Sequence, residues 1–160
     1  MLRVECRCSY GYPQVLSVYP YIEGKPFPTI FWLSCPFLRR GIDRLEAAGW
    51  IKRMEGKIAE DKNLLTELQA AHRSYTEERL KLLTAEDRRT LQKHGQLRSL
   101  TKTGIGGIAV DRWLKCLHLH VAHAMARENP IGELILNKIG RPSCPPDDVI
   151  CHTYMNVATD

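Results

Sequence analysis

The first third of the chain alternates between apolar and polar positions in the way that the strands of a sheet do. Two runs rich in β-branched and aromatic residues, 14–19 and 29–34, are separated by Glu23-Gly24-Lys25-Pro26, which has the composition of a turn. These runs predict an antiparallel hairpin, and Val4 with its neighbours predicts a third strand. The amino-terminal part of the chain is therefore expected to form a small sheet.

From Cys35 onward, apolar residues recur at helical spacing. Pro36 suits the first turn of a helix, Gly49 suits the position after its end, and Thr84 is a typical N-cap. The segment 96–107, with its three glycines, is expected to be a loop. The predicted helices run from Pro36 to Gly49, Ile58 to Leu83, Ala85 to His94, Asp111 to Glu128 and Ile131 to Ile139.

These elements predict an α+β fold in which a small antiparallel sheet precedes about five helices, so that the chain is mainly helical. A length of 160 residues suits a single domain over residues 1–160. Within it, residues 1–34 are β-rich, residues 35–140 are helical, and residues 141–160 form an irregular tail containing Cys and Pro. The helix that contains Cys116 is expected to lie at the centre.

Composition excludes several classes of protein. Hydrophobic residues make up 44% and charged residues 26%, which excludes disordered and fibrous chains. No apolar run is long enough to span a membrane, and the first residues lack the pattern of a secretory signal, so we expect a cytoplasmic protein without membrane contact. The net charge of +5 is spread along the chain, which is compatible with an anionic ligand or RNA as partner.

Six cysteines are the first unusual feature of the sequence. In a cytoplasmic protein of this length, thiols are expected to be reduced, serving as metal ligands or as small buried apolar groups. They stand at positions 6, 8, 35, 116, 144 and 151.

The segment 112–127 carries the most informative pattern. On a helix it is apolar nearly all round except for one seam, and an apolar helix is normally buried. Buried polar groups need partners, and thiol and imidazole groups are common metal ligands. Two other interpretations stay open, namely histidines that only pack in the core and a metal-free catalytic pair of Cys116 with His120. The seam consists of Arg112, Cys116, His120, His123 and Arg127.

Other cysteines stand where ligands are often found. Cys35 precedes Pro36 at a predicted helix N-terminus, Cys144 precedes Pro145, and Cys8 lies on a predicted loop. None has the spacing of a zinc ribbon, so a shared site would be assembled from distant segments. The resulting hypothesis is a metal-thiolate protein that binds an iron–sulfur cluster or zinc through Cys8, Cys35, Cys116 and Cys144, with His120 and His123 as alternative ligands, and Arg112 and Arg127 stabilising the thiolates or holding an anionic substrate.

A series of short motifs, in this order, resembles an uncharacterised bacterial family catalogued as domain of unknown function 501. The resemblance covers nearly the whole chain, and it implies no activity, because none is established for the family. The motifs are Pro26-Phe27-Pro28-Thr29, Leu33-Ser34-Cys35-Pro36, Arg44-Leu45-Glu46 before Ala48-Gly49, Ala70-Ala71-His72 followed by Tyr75, Gly106-Gly107 ahead of Asp111-Arg112, Lys115-Cys116-Leu117-His118 with His123, and Asn129-Pro130-Ile131-Gly132.

Two further hypotheses belong to other classes. The chain is interpreted alternatively as a metal-free module that contacts RNA or a protein through its mildly basic surface. In another alternative, Cys35 is a nucleophile activated by its helix terminus. The sequence does not decide whether the protein is an enzyme, and it does not give the oligomeric state.

Overall fold

The computed structural model of the protein describes residues 1–109, 112–140 and 142–155. It has the predicted α+β architecture, in which an amino-terminal antiparallel sheet precedes a mainly helical part. The prediction of the fold class is therefore confirmed.

The sheet has three strands in the order β1-β2-β5. Strand β2 (Pro13–Ser17) lies between β1 (Arg3–Arg7) and β5 (Phe31–Leu33) and is antiparallel to both. In this register Val15 faces Cys6 on one side and Leu33 on the other. The predicted hairpin and third strand are thus present, and the predicted turn forms a small ribbon of β3 (Tyr21–Ile22) and β4 (Lys25–Pro26).

Eight α-helices follow in the part of the chain that the structure describes. They are α1 (Pro36–Ala47), α2 (Trp50–Glu60), α3 (Lys62–Leu82), α4 (Ala85–Lys93), α5 (Arg98–Thr101), α6 (Leu117–Ala126), α7 (Pro130–Ile139) and α8 (His152–Met155). The last of these lies in the predicted tail.

Most helix ends coincide with the residues that the sequence indicates. Pro36 occupies the first turn of α1, and Gly49 follows its end with a φ of 78°. The Thr84 hydroxyl caps α4 by accepting a hydrogen bond from the Asp87 N–H, and the Asn129 side chain caps α7. Gly140, with a φ of 80°, ends α7.

Three boundaries differ from the prediction. The single helix expected from Ile58 is interrupted at Asp61, whose carboxylate accepts the N–H groups of Asn63 and Leu64 and so begins α3. The helix expected from Asp111, which lies outside the described residues, begins at Leu117. The expected loop over 96–107 contains α5 and a 3-10 turn.

Helix α6 lies at the centre of the core, as predicted for the helix beside Cys116. Its Leu117 and Val121 pack with α1, α2, α3 and α7, whereas Ala122 packs with the sheet and α3. The helix therefore joins two hydrophobic clusters, one among the helices and one between the helices and the sheet.

None of the helices in the described ranges has the length and apolar character needed to cross a lipid bilayer.

Candidate functional site

The segment after α7 returns to the amino-terminal sheet. The Gln14 side chain on β2 donates a hydrogen bond to the Pro142 carbonyl, and the Tyr10 hydroxyl donates one of 3.3 Å to the Cys144 carbonyl. The ring of His152 lies edge-on to that of Tyr12, with 5.8 Å between centroids. This segment therefore covers the turn between β1 and β2.

Four thiols from three separate segments lie in this region. Cys8 is in the β1–β2 turn, and Cys35 is the N-cap residue of α1, with the Gln14 amide nitrogen 3.9 Å from its sulfur. Burial, and then the neighbouring Cys35, Cys144 and Cys8, raise the pKa of the Cys151 thiol. The region is thus thiol-rich, and Cys35 is its buried member. We call Cys8, Cys35, Cys144 and Cys151 the thiol cluster.

The thiol cluster is spaced more widely than the ligands of a single small ion. Among the described residues, the group of three ligand atoms that all lie within 4.8 Å of one another is found elsewhere, at Glu46, Cys116 and His118. Tetrahedral zinc, with Zn–S bonds of about 2.3 Å, holds its sulfur atoms about 3.8 Å apart. The cysteine side chains of the thiol cluster therefore do not stand at the spacing of a closed zinc site.

Cys116 lies apart from the thiol cluster in this second group. It is the extended N-cap residue of α6, and burial raises the pKa of its thiol. Glu46 of α1 accepts a hydrogen bond of 2.6 Å from the Leu117 N–H, which ties the two helices together. The imidazole of His118 lies between two carboxylates, with Nδ1 3.2 Å from Glu46 and Nε2 3.2 Å from Asp43. A thiol, an imidazole and a carboxylate therefore meet at the start of α6.

A cleft of about 530 Å³ adjoins this group, with Cys116 and His118 in its wall. Two cationic side chains, Arg39 and Lys115, stand at the same cleft. Its size lies within the range of small-molecule sites.

The two predicted histidines of α6 lie in the core beside α7. The Asn129 amide nitrogen is 3.2 Å from Nδ1 of His120 and 3.1 Å from Nδ1 of His123, while its oxygen accepts the Gly132 N–H. An amide NH₂ donates, so both Nδ1 atoms accept and both rings carry their proton on Nε2. Burial lowers the pKa of each ring to about 3, which keeps both neutral. The structure brings neither into the three-ligand group.

The two predicted arginines lie in different surroundings. Arg127, at the C-terminal end of α6, pairs with Glu5 and Glu78, and its guanidinium lies 5.2 Å from the centre of the Phe31 ring. Arg112 lies over the ring of Trp113, beside a separate pocket. The structure thus places Arg127 in an ion-pair network between β1, α3 and α6.

The glycine-rich segment 104–107 packs against α3. The Ile105 N–H donates a hydrogen bond of 3.0 Å to His72, and buried Arg79 donates to the carbonyls of Leu100, Thr103 and Gly104. The backbone N–H and carbonyl groups of this segment therefore hold it against the core.

Sequence reasoning gave Cys151 little weight and did not select Glu46 or His118 as ligands. Cys151 stands in a tail without periodicity, and its neighbours lie more than a hundred residues away except for Cys144. His118 and Glu46 both stand in the quoted motifs, which is the signal that was available for them.

Residues 4–137 match the family model described as "Protein of unknown function (DUF501)". The matched range contains Cys8, Cys35 and the group at Glu46, Cys116 and His118, and it ends before Cys144. No curated protein and no solved structure is detectably similar to the chain. Since the match covers most of the chain, the chain belongs to the DUF501 family, as its motifs indicate.

Proposed function

We propose that this is a metal-thiolate protein whose thiol cluster, Cys8, Cys35, Cys144 and Cys151, holds an iron–sulfur cluster or zinc. The observation that supports the proposal is the return of the segment after α7 to the sheet, because it brings thiols from both ends of the described chain into one region. Cys151 takes the place that the sequence hypothesis gave to Cys116.

The surroundings of the thiol cluster suit anionic sulfur ligands. Cys35 stands at the N-terminus of α1, where the helix dipole stabilises negative charge. The Gln14 amide nitrogen, directed at its sulfur, supplies a polar donor of the kind that tunes iron–sulfur centres. A reducing cytoplasm, which keeps thiols available, is the compartment that we propose for this chemistry.

Metal and sulfide analysis tests the proposal directly. We expect protein purified without oxygen to be brown and to contain iron and acid-labile sulfide, or else to contain zinc without colour. Each of the four substitutions Cys8→Ser, Cys35→Ser, Cys144→Ser and Cys151→Ser is expected to remove most of that metal. Cys116→Ser is the control, because Cys116 lies apart from the thiol cluster, beside Glu46 and His118. It is expected to leave the content of iron and acid-labile sulfide unchanged.

A metal-free protein would contradict the proposal. If the protein is colourless, contains neither iron nor zinc, and keeps its unfolding temperature after treatment with a chelator, the metal-thiolate function is wrong. Retention of the protein on RNA at low salt, and its release as salt rises, would then support the metal-free interaction module.

A further inference from the structure

We propose that Glu46, Cys116 and His118 bind one divalent transition-metal ion, with Zn²⁺ the best match, and that its open coordination position faces the cleft and accepts an anionic ligand. This site, which we call the α6 site, is independent of the thiol cluster. It goes beyond the proposed function because it adds a position at which a small molecule can meet the metal.

The three ligand atoms suit a single metal ion. One sulfur, one nitrogen and one oxygen atom lie within 4.8 Å of one another, which is compact enough to close around one ion. Thiolate, imidazole and carboxylate are the three ligand types that zinc takes from proteins, and three protein ligands with an open position are typical of catalytic zinc sites.

The positions of the side chains fix which histidine nitrogen faces the metal. Nδ1 of His118 lies 3.2 Å from a carboxylate oxygen of Glu46, which is itself one of the three ligands. Nε2 lies 3.2 Å from a carboxylate oxygen of Asp43, which is not. A ligating imidazole usually donates its second N–H to a carboxylate, which orients the ring and raises its basicity. Asp43 is therefore a positioning residue, and Nδ1 is the ligand atom.

The cleft gives an anionic ligand access to the ion. Cys116 and His118 stand in its wall, so an ion held between them is reached from the cleft. Arg39 and Lys115 supply two positive charges there against the one negative charge of Asp43, which favours an anion such as a phosphate or carboxylate group. Phe27 and Trp32 are stacked with 5.8 Å between their ring centroids and also line the cleft, so they offer an apolar wall to the rest of the ligand.

The competing explanation is that Glu46, His118 and Asp43 form only an ion pair that joins α1 to α6. In that case Cys116 has no part in the group, and its replacement leaves the pair intact. Replacement of the Cys116 thiol therefore distinguishes the metal site from the ion pair.

Co²⁺ is the probe, since a cobalt–thiolate bond gives an intense charge-transfer band in the near ultraviolet. The titration uses the full chain carrying Cys144→Ser and Cys151→Ser, so that the thiol cluster cannot account for the signal. We expect one equivalent of Co²⁺ to give the band, and Cys116→Ser to abolish it. Glu46→Gln, which keeps an oxygen for the Leu117 N–H, is expected to weaken binding at least about tenfold, as is Asp43→Asn.

Glu55→Gln is the matched control, because Glu55 accepts the Leu114 N–H just as Glu46 accepts that of Leu117 but is not part of the three-ligand group. It is expected to leave Co²⁺ binding unchanged. Inorganic phosphate is then added to the cobalt protein. We expect phosphate to shift the visible bands of Co²⁺. In Lys115→Ala, we expect a higher phosphate concentration to be needed for the same shift.

Absence of the charge-transfer band, or a band that survives Cys116→Ser, overturns the metal site. If phosphate leaves the visible bands unchanged, the proposed open coordination position is wrong. Because the parent chain already lacks two thiols of the thiol cluster, a failure of the α6 site is distinguishable from a failure of the proposed function.

Discussion

At the scale of single residues, Asn129 connects more of the core than any pattern in the sequence indicates. Its carboxamide caps α7 through the Gly132 N–H and donates to His120 and His123 on α6. Local sequence preference agrees with the cap, since Asn and Pro are common at a helix start. It cannot predict the link to the imidazoles, because that link depends on the packing of two helices.

Replacing this residue should therefore cost far more than the loss of a cap. We expect Asn129→Ala to lower the free energy of unfolding by about 3 kcal/mol, since a buried N–H and two buried imidazole nitrogens lose their partner. Asn137→Ala, on an exposed position of α7, is the control and should change stability by less than about 0.5 kcal/mol. Urea denaturation of both variants measures the difference, and equal losses would contradict this role of Asn129.

At the scale of elements, local signals predict helix ends well where the chain supplies its own cap. Pro36, Gly49 and Thr84 stand at boundaries that the structure confirms. The start of α6 was not predicted, because the group that satisfies the Leu117 N–H is Glu46, a residue of another helix. A boundary set by a tertiary contact leaves no local signal.

The close contact between α6 and α7 gives a prediction at this scale. A Cβ atom at Gly132 would collide with the backbone carbonyl of His120, so that the two helices would have to separate. We expect Gly132→Ala to lower the free energy of unfolding by about 2 kcal/mol or more. Gly56→Ala is the matched control, because nothing surrounds that position on α2 and alanine is the better helix former. It should raise stability by up to about 1 kcal/mol, and a loss of equal size in both variants would contradict the packing argument.

At the scale of the whole molecule, part of the candidate site follows from the sequence and part does not. Cys8, Cys35 and Cys144 were selected for their local settings, and the structure brings them into one region with Cys151. Cys116 was selected on the same helix as the imidazoles, but α6 begins after it and its side chain meets Glu46 and His118. Sequence reasoning identifies chemically suitable residues, whereas their grouping depends on how distant segments pack.

Acid sensitivity is a property of the whole fold that the core histidines predict. Burial, together with nearby His72 and Arg127, lowers the pKa of His123 to about 3, against an ordinary value of 6.5. Between these values the unfolded chain binds a proton at this residue that the folded chain does not. The stability that His123 contributes is complete above about pH 6.5 and falls by up to about 1.4 kcal/mol for each pH unit below it.

Urea denaturation at about pH 7.5 and about pH 5 measures this effect. We expect the wild-type protein to lose stability over this interval, and His123→Leu, whose side chain has a similar volume, to lose clearly less. The comparison uses the change with pH in each variant, so a constant cost of the substitution does not matter. Equal pH dependence in the two proteins would show that His123 does not contribute to it.

The return of the segment after α7 to the β1–β2 turn has a consequence for synthesis on the ribosome. Cys8 and Cys35 leave the exit tunnel early, whereas Cys144 and Cys151 follow only after every helix of the core has been translated. A nascent chain that extends only to α7 therefore offers half of the donors, so under the proposed function the inorganic centre is completed after the core helices have been translated. For the proposed metal-thiolate site, this topology favours delivery of the inorganic centre to a folded core over capture by an emerging fragment.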